Sequence, residues 1–227
     1  MQEQVYIISD VHGCIKSLKA LVSKLPKNSK LIFVGDLIDR GKNSKEVIEF
    51  VKSNNYDCIR GNHEEYMIHS MKVLLNNPNK YEESQWIKKL GGKATLDSYG
   101  NINDLHNNKL FLEHLQWLES LPFYLEYKDL RTKDDRYLAI THAPANDTWK
   151  YRDYPKDSKE FNLFYDEVMK SRRFGKYDNK EIFNVFGHTP LSEPKIFNSF
   201  VAIDLGCVFD NGTNMKGYLC ALEFPSI

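Results

Sequence analysis

The sequence has no excess of charge of either sign and no long apolar run. Its 227 residues include 31 Lys and Arg against 31 Asp and Glu, so the formal net charge is zero with histidine neutral. This balance gives no overall electrostatic attraction for nucleic acid or for an anionic membrane. No apolar segment approaches the ~20 residues that span a bilayer. We therefore expect a globular protein without a nucleic-acid or membrane partner.

Cysteine is also scarce, and its positions form neither a C-x-x-C pair nor a dense framework: Cys14, Cys58, Cys207 and Cys220. Such spacing is not that of a disulfide-stapled secreted domain. The N-terminal segment MQEQVYIISD has no basic region ahead of an apolar stretch, so it does not have the pattern of a signal peptide. These features predict a cytoplasmic protein with reduced thiols.

The first third of the chain alternates between short apolar runs and segments of helical periodicity. Strands are predicted at 5–8, 30–35 and 56–60, and each is followed by apolar residues at helical spacing. This β-α-β-α-β pattern implies a parallel sheet with right-handed crossovers. Strand-like runs return later, with one helix near 160–172 between them, at 123–127, 137–142, 182–188, 199–204 and 217–224.

The segment 76–120 differs from the rest of the chain. It is rich in Asn and turn residues and has no strand pattern, so we expect a mostly helical insertion. A segment of this length is longer than loops without a function. Our hypothesis is that it covers the strand ends and selects the substrate through Tyr81, Trp86 and Tyr99. The alternative is that Trp86 and Trp117 pack a small core of the insertion itself.

Polar residues recur where the predicted strands end. The stretch SDVHG follows the first strand, and in extended backbone Asp10 and His12 point to the same side. GDLIDRG follows the second strand and GNHE the third, while two later strands end in THA and GHT. Since ligands of open α/β sheets bind beyond the carboxyl ends of the strands, these ends offer one site six donors: Asp10, His12, Asp36, Asn62, His142 and His188.

The donor set suggests two divalent metal ions. Six donors exceed the four of a closed zinc site, and a carboxylate such as Asp36 can bridge two ions. Two such ions would bring more positive charge than Asp10 and Asp36 neutralise, which suits a phosphate dianion. Each residue alone has an ordinary explanation, such as a cap for Asp36, an Asx turn for Asn62 or a core position for His142. Their joint occurrence favours the metal site.

Together, SDVHG, GDLIDRG, GNHE, HA and GHT resemble the motifs of the calcineurin-like metallophosphoesterases, specifically the phosphoprotein-phosphatase branch in its bacterial and phage form. The resemblance implies an α/β sandwich of two mixed sheets flanked by helices, with 1–227 as one domain and 76–120 inserted in it. It also implies one ion held by Asp10, His12 and Asp36, and a second held by Asp36, Asn62, His142 and His188. Mn fits this ligand set, as do Fe and Zn.

The chemistry of phosphate ester hydrolysis suggests further roles at these motifs. His63 is expected to protonate the leaving oxygen, and Asp39 to orient and charge its imidazole. Arg40 and Arg60 lie beside metal ligands, and their forked donors suit phosphate oxygens. The family also has an arginine between the two late histidines. Here we favour Arg172, with Arg152 and Arg173 as the other candidates, and Pro144 departs from the glycine that often follows the first of these histidines.

Three functions remain open at this level. The first is a protein phosphatase acting on phosphoserine and phosphothreonine, and also on phosphotyrosine. The second is hydrolysis of symmetrical diadenosine tetraphosphate, or of other nucleotide or RNA ends. The third is a metal-free binding scaffold, which would have lost ligands that this sequence retains. Asp39 and the sequence GNHEE favour the first function, because symmetrical tetraphosphate hydrolases typically lack that Asp and carry GNHD.

Overall fold

Two mixed β-sheets form the centre of the structure, as the resemblance implied. The computed structural model describes residues 4–100, 102–173, 178–209 and 217–225. The strands are β1 (Val5–Ile8), β2 (Lys30–Phe33), β3 (Asp57–Cys58), β4 (Tyr124–Arg131), β5 (Tyr137–Thr141), β6 (Ile182–Phe186), β7 (Lys195–Ile196), β8 (Phe200–Ala202) and β9 (Ala221–Phe224). The first sheet has the order β3-β2-β1-β9, and the second has the order β4-β5-β6-β8-β7.

The parallel start of the chain is confirmed. β1, β2 and β3 pair in parallel, and β9 closes the sheet antiparallel to β1. In the second sheet β5, β6 and β8 are parallel, with β4 and β7 antiparallel at the edges. β7 was not predicted, because a paired segment of two residues is too short to show a period in the sequence.

Seven helices are described around the sheets: α1 (Ile15–Val22), α2 (Ser44–Ser53), α3 (Asn62–Leu74), α4 (Gln85–Lys89), α5 (Gly92–Tyr99), α6 (Lys109–Ser120) and α7 (Lys159–Lys170). Short 3₁₀ turns lie at Pro78–Glu83, Ile102–Asn107 and Asn146–Tyr151. The helix predicted near 160–172 and the helical content predicted for 76–120 are both present. None of the described helices has the length and apolar character needed to cross a membrane.

Alternation along β1 explains how the core divides. Val5 and Ile7 are fully buried between the sheets, where they pack in one cluster with Val185 of β6. Tyr6 and Ile8 point the other way, into a second cluster formed with the helices. A strand buried on both faces reads as a continuous apolar run, as VYII does. The carboxyl ends of β1 and β2 therefore lie at one edge of the sandwich, above a rigid core.

The helical segment 76–120 joins the main core rather than packing a core of its own. Trp86, Leu96 and Phe111 are buried in the same cluster as Val47 of α2 and Met67 of α3, and Trp117 packs against that cluster. Tyr99 is also buried there, so it is not exposed to a substrate groove. This packing places α4 and α5 against the loop that follows β2, which carries several of the predicted site residues.

Candidate metal centre and active site

The loops after β1, β2, β5 and β6 and the first turn of α3 meet at one point. Asp36, which follows β2, is at the centre of this cluster. Its Oδ2 lies 3.6 Å from His12 Nε2, and its Oδ1 lies 3.4 Å from His142 Nε2. This carboxylate belongs to two groups of potential metal ligands, and within each group the ligand atoms lie within 4.8 Å of one another. The first group is His12, Asp36 and His63, and the second is Asp36, His142 and His188. One carboxylate facing two donor groups is the arrangement that a bridging ligand requires.

Backbone carbonyls fix how His12 and His142 present their nitrogens. His12 Nδ1 donates to the carbonyl of Ile38 at 2.8 Å, and His142 Nδ1 donates to the carbonyl of Val34 at 2.9 Å. Burial lowers the pKa of His12 to about 3 and also lowers the pKa of His142, so both rings are neutral near pH 7. Each Nε2 is therefore unprotonated and lies beside Asp36. Metal-binding histidines are commonly held in this way by their other nitrogen.

Asn62, His142 and His188 bring acceptor atoms unusually close together. Asn62 Oδ1 lies 2.8 Å from His142 Nε2 and 2.8 Å from His188 Nδ1, and those two nitrogens are 3.1 Å apart. Because His142 Nδ1 already carries the proton, its Nε2 and the amide oxygen are both acceptors. Burial lowers the pKa of His188 to about 3, so its ring is neutral and carries one proton, which on Nδ1 could serve only one of the two neighbouring acceptors. A cation among these atoms satisfies all three, so the donor set fits a metal ion.

Buried carboxylates make the same cluster electron-rich. Asp10, Asp36 and Asp204 are each at most 2% exposed. Burial and the charges of Asp204 and Asp36 raise the pKa of Asp10 well above its usual range, and burial raises the pKa of Asp204 to about 6. Bound cations would offset these charges and favour the ionised carboxylates. Sequence reasoning missed Asp204, although it follows β8 at a strand end, the same signal that identified the other donors.

Backbone geometry at the cluster is unusual. Five of the residues in this region have positive φ without being glycine: His12, Asp36, Asp39, Arg40 and His188. Each such residue costs on the order of 1–3 kcal/mol, and residues of this kind gather at functional sites. Glycine is required beside two of the carboxylates. A Cβ at Gly187 would lie 1.9 Å from Asp10 Oδ1, and a Cβ at Gly61 would lie 2.2 Å from Asp36 Oδ1.

His63, the first-turn residue of α3, is held by a buried carboxylate. Its Nδ1 donates to Asp39 Oδ2 at 2.6 Å, and its Nε2 faces the guanidinium of Arg40. Burial lowers the pKa of His63, but the charges of Asp36 and Asp39 outweigh it, so the net pKa is raised. The ring is thus charged over more of the neutral range than a free imidazole, as a proton donor requires.

Two residues of the helical segment hold Asp39 in turn. Trp86 Nε1 donates to Asp39 Oδ2 at 2.7 Å, and Thr95 Oγ1 donates to Asp39 Oδ1 at 2.7 Å. Burial raises the pKa of Asp39, while these bonds and the one from His63 favour its charged form. Neither contact is visible in the sequence pattern, since both join residues far apart along the chain.

The predicted phosphate-binding arginines fall in different places. Arg40 is at the cluster, with Nη1 2.6 Å from His12 Nε2 and Nη2 3.0 Å from His63 Nε2. Arg60 is turned away: it donates to Glu65 Oε2 at 2.8 Å and stacks over Phe123, and its guanidinium also contacts the carbonyl of Glu119. Its contacts therefore give no support to a phosphate-binding role.

The sequence offers three candidates for the third phosphate-binding arginine. The exposed Arg172 lies near enough to His188 to contribute to the lowering of its pKa, after burial and the charge of His142. Arg152 instead pairs with Glu126 and stacks over Trp149, in another part of the molecule. Arg173 is exposed, and its carbonyl accepts from Asn146. Arg172 thus remains the prediction, whereas the contacts of Arg152 give no support to a phosphate-binding role.

Glu64 has a structural task at the cluster. Its Oε2 accepts from the backbone N–H groups of Asp36 and Gly61, and its Oε1 accepts from that of Leu37, each at 2.8 Å. Burial raises the pKa of Glu64 to about 7, and the three donors favour its carboxylate form. Glu64 fastens the Asp36 loop to the start of α3. The GNHEE sequence, which favoured a protein phosphatase, therefore gives no direct information about the substrate.

Sequence comparison assigns most of the chain to one family. The sequence model of the calcineurin-like phosphoesterases matches residues 4–203. Two curated relatives carry the name asymmetrical bis(5'-nucleosyl)-tetraphosphatase PrpE. The one from Bacillus velezensis is 31% identical, covering 90% of this chain and 85% of the relative, and the one from Oceanobacillus iheyensis is 29% identical, covering 98% and 89%.

Solved structures agree in fold. A crystal structure provisionally assigned as a diadenosine tetraphosphatase superposes with a TM-score of 0.63 at 20% identity, covering 99% of this chain and 90% of that one. A cold-active protein tyrosine phosphatase superposes with a TM-score of 0.56 at 16% identity, covering 98% and 74%. The same fold thus carries proteins named for both substrate classes, so the fold alone does not choose between them.

Proposed function

The chain belongs to the calcineurin-like phosphoesterase family, and on that premise we propose that it hydrolyses bis(5'-nucleosyl) tetraphosphates at a dinuclear metal site. The relatives' shared name favours a nucleotide substrate over a phosphoprotein. Our first expectation from the sequence, a protein phosphatase, is less well supported than its nucleotide alternative. That alternative named symmetrical cleavage, whereas the relatives are named for asymmetrical cleavage.

The observation that carries the proposal is the convergence of acceptors around Asp36. We propose that Asp10, His12 and Asp36 hold one divalent ion, and that Asp36, Asn62, His142 and His188 hold the other. When bound, two such ions lower the pKa of an attacking water and offset the charge of phosphoryl oxygens. Asp204, beside Asp10, adds negative charge that increases the affinity of the site for cations.

Arg40, His63 and Arg172 are the residues that we propose to contact the substrate. Arg40 is exposed and ends at the cluster, so its forked donors can turn from His12 and His63 to two phosphate oxygens. His63 can donate from Nε2 to the oxygen that leaves, while Asp39 keeps the ring oriented and charged. Arg172 approaches from the side of His188 and would neutralise a further phosphate oxygen.

A direct comparison of substrates tests this proposal. Protein loaded with Mn²⁺ is assayed side by side on diadenosine tetraphosphate and on a phosphoserine peptide. We expect a kcat/KM at least a hundredfold higher for the dinucleotide, with adenosine triphosphate and monophosphate as products. A preference for the peptide would restore the protein-phosphatase function, and two molecules of diphosphate product would indicate symmetrical cleavage.

A further inference from the structure

A cavity beside His63 is not used by the metal site or by the groups around it. It has a volume of about 380 Å³ and lies between α3 on one side and α4 with the 3₁₀ turn Pro78–Glu83 on the other. Its walls include Tyr66, Val73, Trp86 and Leu90, with Ser70 at a polar position. This size and this mixture of apolar walls with a few polar groups are typical of small-molecule sites.

The cavity lies next to His63 along helix α3. His63, Tyr66, Ser70 and Val73 follow one another at three- and four-residue spacing, so they share one face of α3. Tyr66 meets His63 edge to face, with ring centroids 6.2 Å apart. From Tyr66 to Leu74 the helix rises by ~12 Å at 1.5 Å per residue, so the groove leads directly away from His63. The groove therefore starts at Tyr66, one helical turn from His63.

The lining favours an uncharged aromatic group over a chain of phosphates. Among the described lining residues Lys80 is the one lysine, there is no arginine, and Glu83 lines the same cavity. Several phosphate charges against apolar walls would be poorly compensated there. Tyr66 instead offers a partly exposed aromatic ring, on which nucleobases stack irrespective of sequence, and the buried Trp86 contributes to the same wall. The described walls of this cavity therefore suit a nucleoside.

We propose that this cavity, the α3–α4 cavity, binds the nucleoside of the leaving group, a nucleoside monophosphate. The proposal rests on the proposed function, because it concerns the same reaction. With the nucleoside this close to His63, one phosphate separates it from the oxygen that leaves. The attacked phosphorus is then the second from that nucleoside, and the rest of the substrate departs as a nucleoside triphosphate.

The bond changes follow from that placement. The oxygen of water forms a bond to the second phosphorus, and the bond from that phosphorus to the bridging oxygen of the monophosphate breaks. His63 donates from Nε2 to this departing oxygen, and the protons of the water are released to products and solvent. The water oxygen therefore ends in the terminal phosphate of the nucleoside triphosphate, and the monophosphate keeps only oxygens of the substrate.

Filling the cavity tests its role. Val73→Trp places bulk at the rim, where Val73 is 47% exposed, and Ser70→Trp places it deeper in the groove. Lys88→Trp adds the same side chain to an exposed position of α4 that does not line the cavity, and is the matched control. We expect at least one cavity variant to raise KM for diadenosine tetraphosphate about tenfold or more. Turnover of 4-nitrophenyl phosphate should stay unchanged, and the control should match the wild type on both substrates.

Two outcomes of these assays contradict the proposal. Unchanged KM for the dinucleotide in both folded cavity variants would show that nothing of the substrate enters the cavity. An equal loss on both substrates would show that the cavity walls support the metal site. Circular dichroism of each variant establishes that it is folded before kinetics are compared.

Isotope and binding measurements separate this proposal from the proposed function. Hydrolysis in H₂¹⁸O should label the triphosphate product, whereas label in the monophosphate would overturn the assignment of the leaving group. Saturation-transfer NMR with adenosine, which carries no phosphate, should detect binding to the wild type and Lys88→Trp but not to Ser70→Trp. Should the protein bind adenosine there but leave dinucleotides intact, the proposed function fails and the nucleoside site stands. Should it cleave dinucleotides without binding adenosine, the proposed function stands and the nucleoside site fails.

Discussion

Trp86 donates its indole N–H to the carboxylate of Asp39 at 2.7 Å, across 47 positions of the chain. Both side chains are buried, and the same oxygen of Asp39 accepts from His63. The helical segment 76–120 therefore reaches the active site as a support for the residue that orients the imidazole. The contact of this segment with Asp39 should affect the hydrolysis of every substrate. Its residues in the wall of the α3–α4 cavity should affect only substrates that contain a nucleoside.

Removing this one hydrogen bond should weaken proton donation. Trp86→Phe keeps the aromatic bulk and loses the N–H, so we expect kcat on phenyl phosphate to fall about tenfold, because hydrogen bonds to charged groups contribute more than neutral ones. The fall on 4-nitrophenyl phosphate, whose leaving group needs less protonation, should be smaller. Trp149→Phe is the control, because the indole N–H of Trp149 lies near the hydroxyl of Tyr137 and not near Asp39. An equal fall on both esters would contradict the positioning role of Trp86.

His63 itself should show the same dependence on the leaving group in stronger form. General acid catalysis contributes roughly 10²–10⁴-fold, so His63→Ala should lower kcat on phenyl phosphate on that scale. Asp39→Asn should lower it in the same direction, with metal content unchanged. Steady-state kinetics on the two aryl esters, with metal analysis of each variant, measure this. If His63→Ala slowed both esters equally, another group would be the acid.

Arg40 and Arg60 should behave differently although both flank predicted metal ligands. Arg40→Ala removes donors that face His12 and His63, so we expect KM for phosphate esters to rise and inorganic phosphate to inhibit less. Arg60→Ala removes the charge-assisted hydrogen bond to the partly buried Glu65, which keeps its contacts with His69 and Tyr165, and should lower the free energy of unfolding by about 2 kcal/mol.

Thermal or urea unfolding and inhibition by phosphate distinguish the two variants. Arg60→Ala should keep the KM of the wild type at a temperature where it is folded. A raised KM in that variant, with stability unchanged, would return Arg60 to the phosphate site.

His114 should make stability depend on pH. It is buried, its Nε2 donates to Glu49, and its Nδ1 accepts from the hydroxyl of Tyr99. Its pKa is lowered chiefly by burial. Because the folded state binds a proton less readily than the unfolded chain, lowering the pH through the ordinary value of 6.5 favours unfolding. The wild type should therefore lose more stability between pH 7 and pH 5 than His114→Gln does. Parallel urea-denaturation curves for both proteins measure this difference, and equal losses would contradict it.

The strand-end rule explains how much of the site the sequence could provide. Parallel strands carry the residues that follow them to one edge, so Asp10, Asp36 and His142 could be placed together without any contact information. The same rule would have found Asp204 had it been applied to the strand that ends there. The two mixed sheets were likewise expected, through the family resemblance rather than through periodicity.

Long-range side-chain contacts could not be predicted from the sequence. Trp86 and Thr95 reach Asp39 only because α4 and α5 pack on the loop after β2, and no local pattern encodes that packing. Arg60 lies two positions from Asn62, yet its direction is set by Glu65 and Phe123 rather than by its neighbours in the chain. In the sequence, Glu64 looked like an indicator of substrate class. Its hydrogen bonds to the backbone of the Asp36 loop, which explain its presence, cannot be inferred from the motif.

We propose that Asp36 joins two metal ions in one site, and the metal stoichiometry of the protein tests this. Purified protein is stripped with a chelator, reloaded with Mn²⁺, desalted and analysed by inductively coupled plasma mass spectrometry. We predict two ions per chain for the wild type, and at most one for Asp36→Asn, with hydrolysis of 4-nitrophenyl phosphate abolished in that variant. Full activity in the stripped wild-type protein, or two ions retained by Asp36→Asn, would contradict the account.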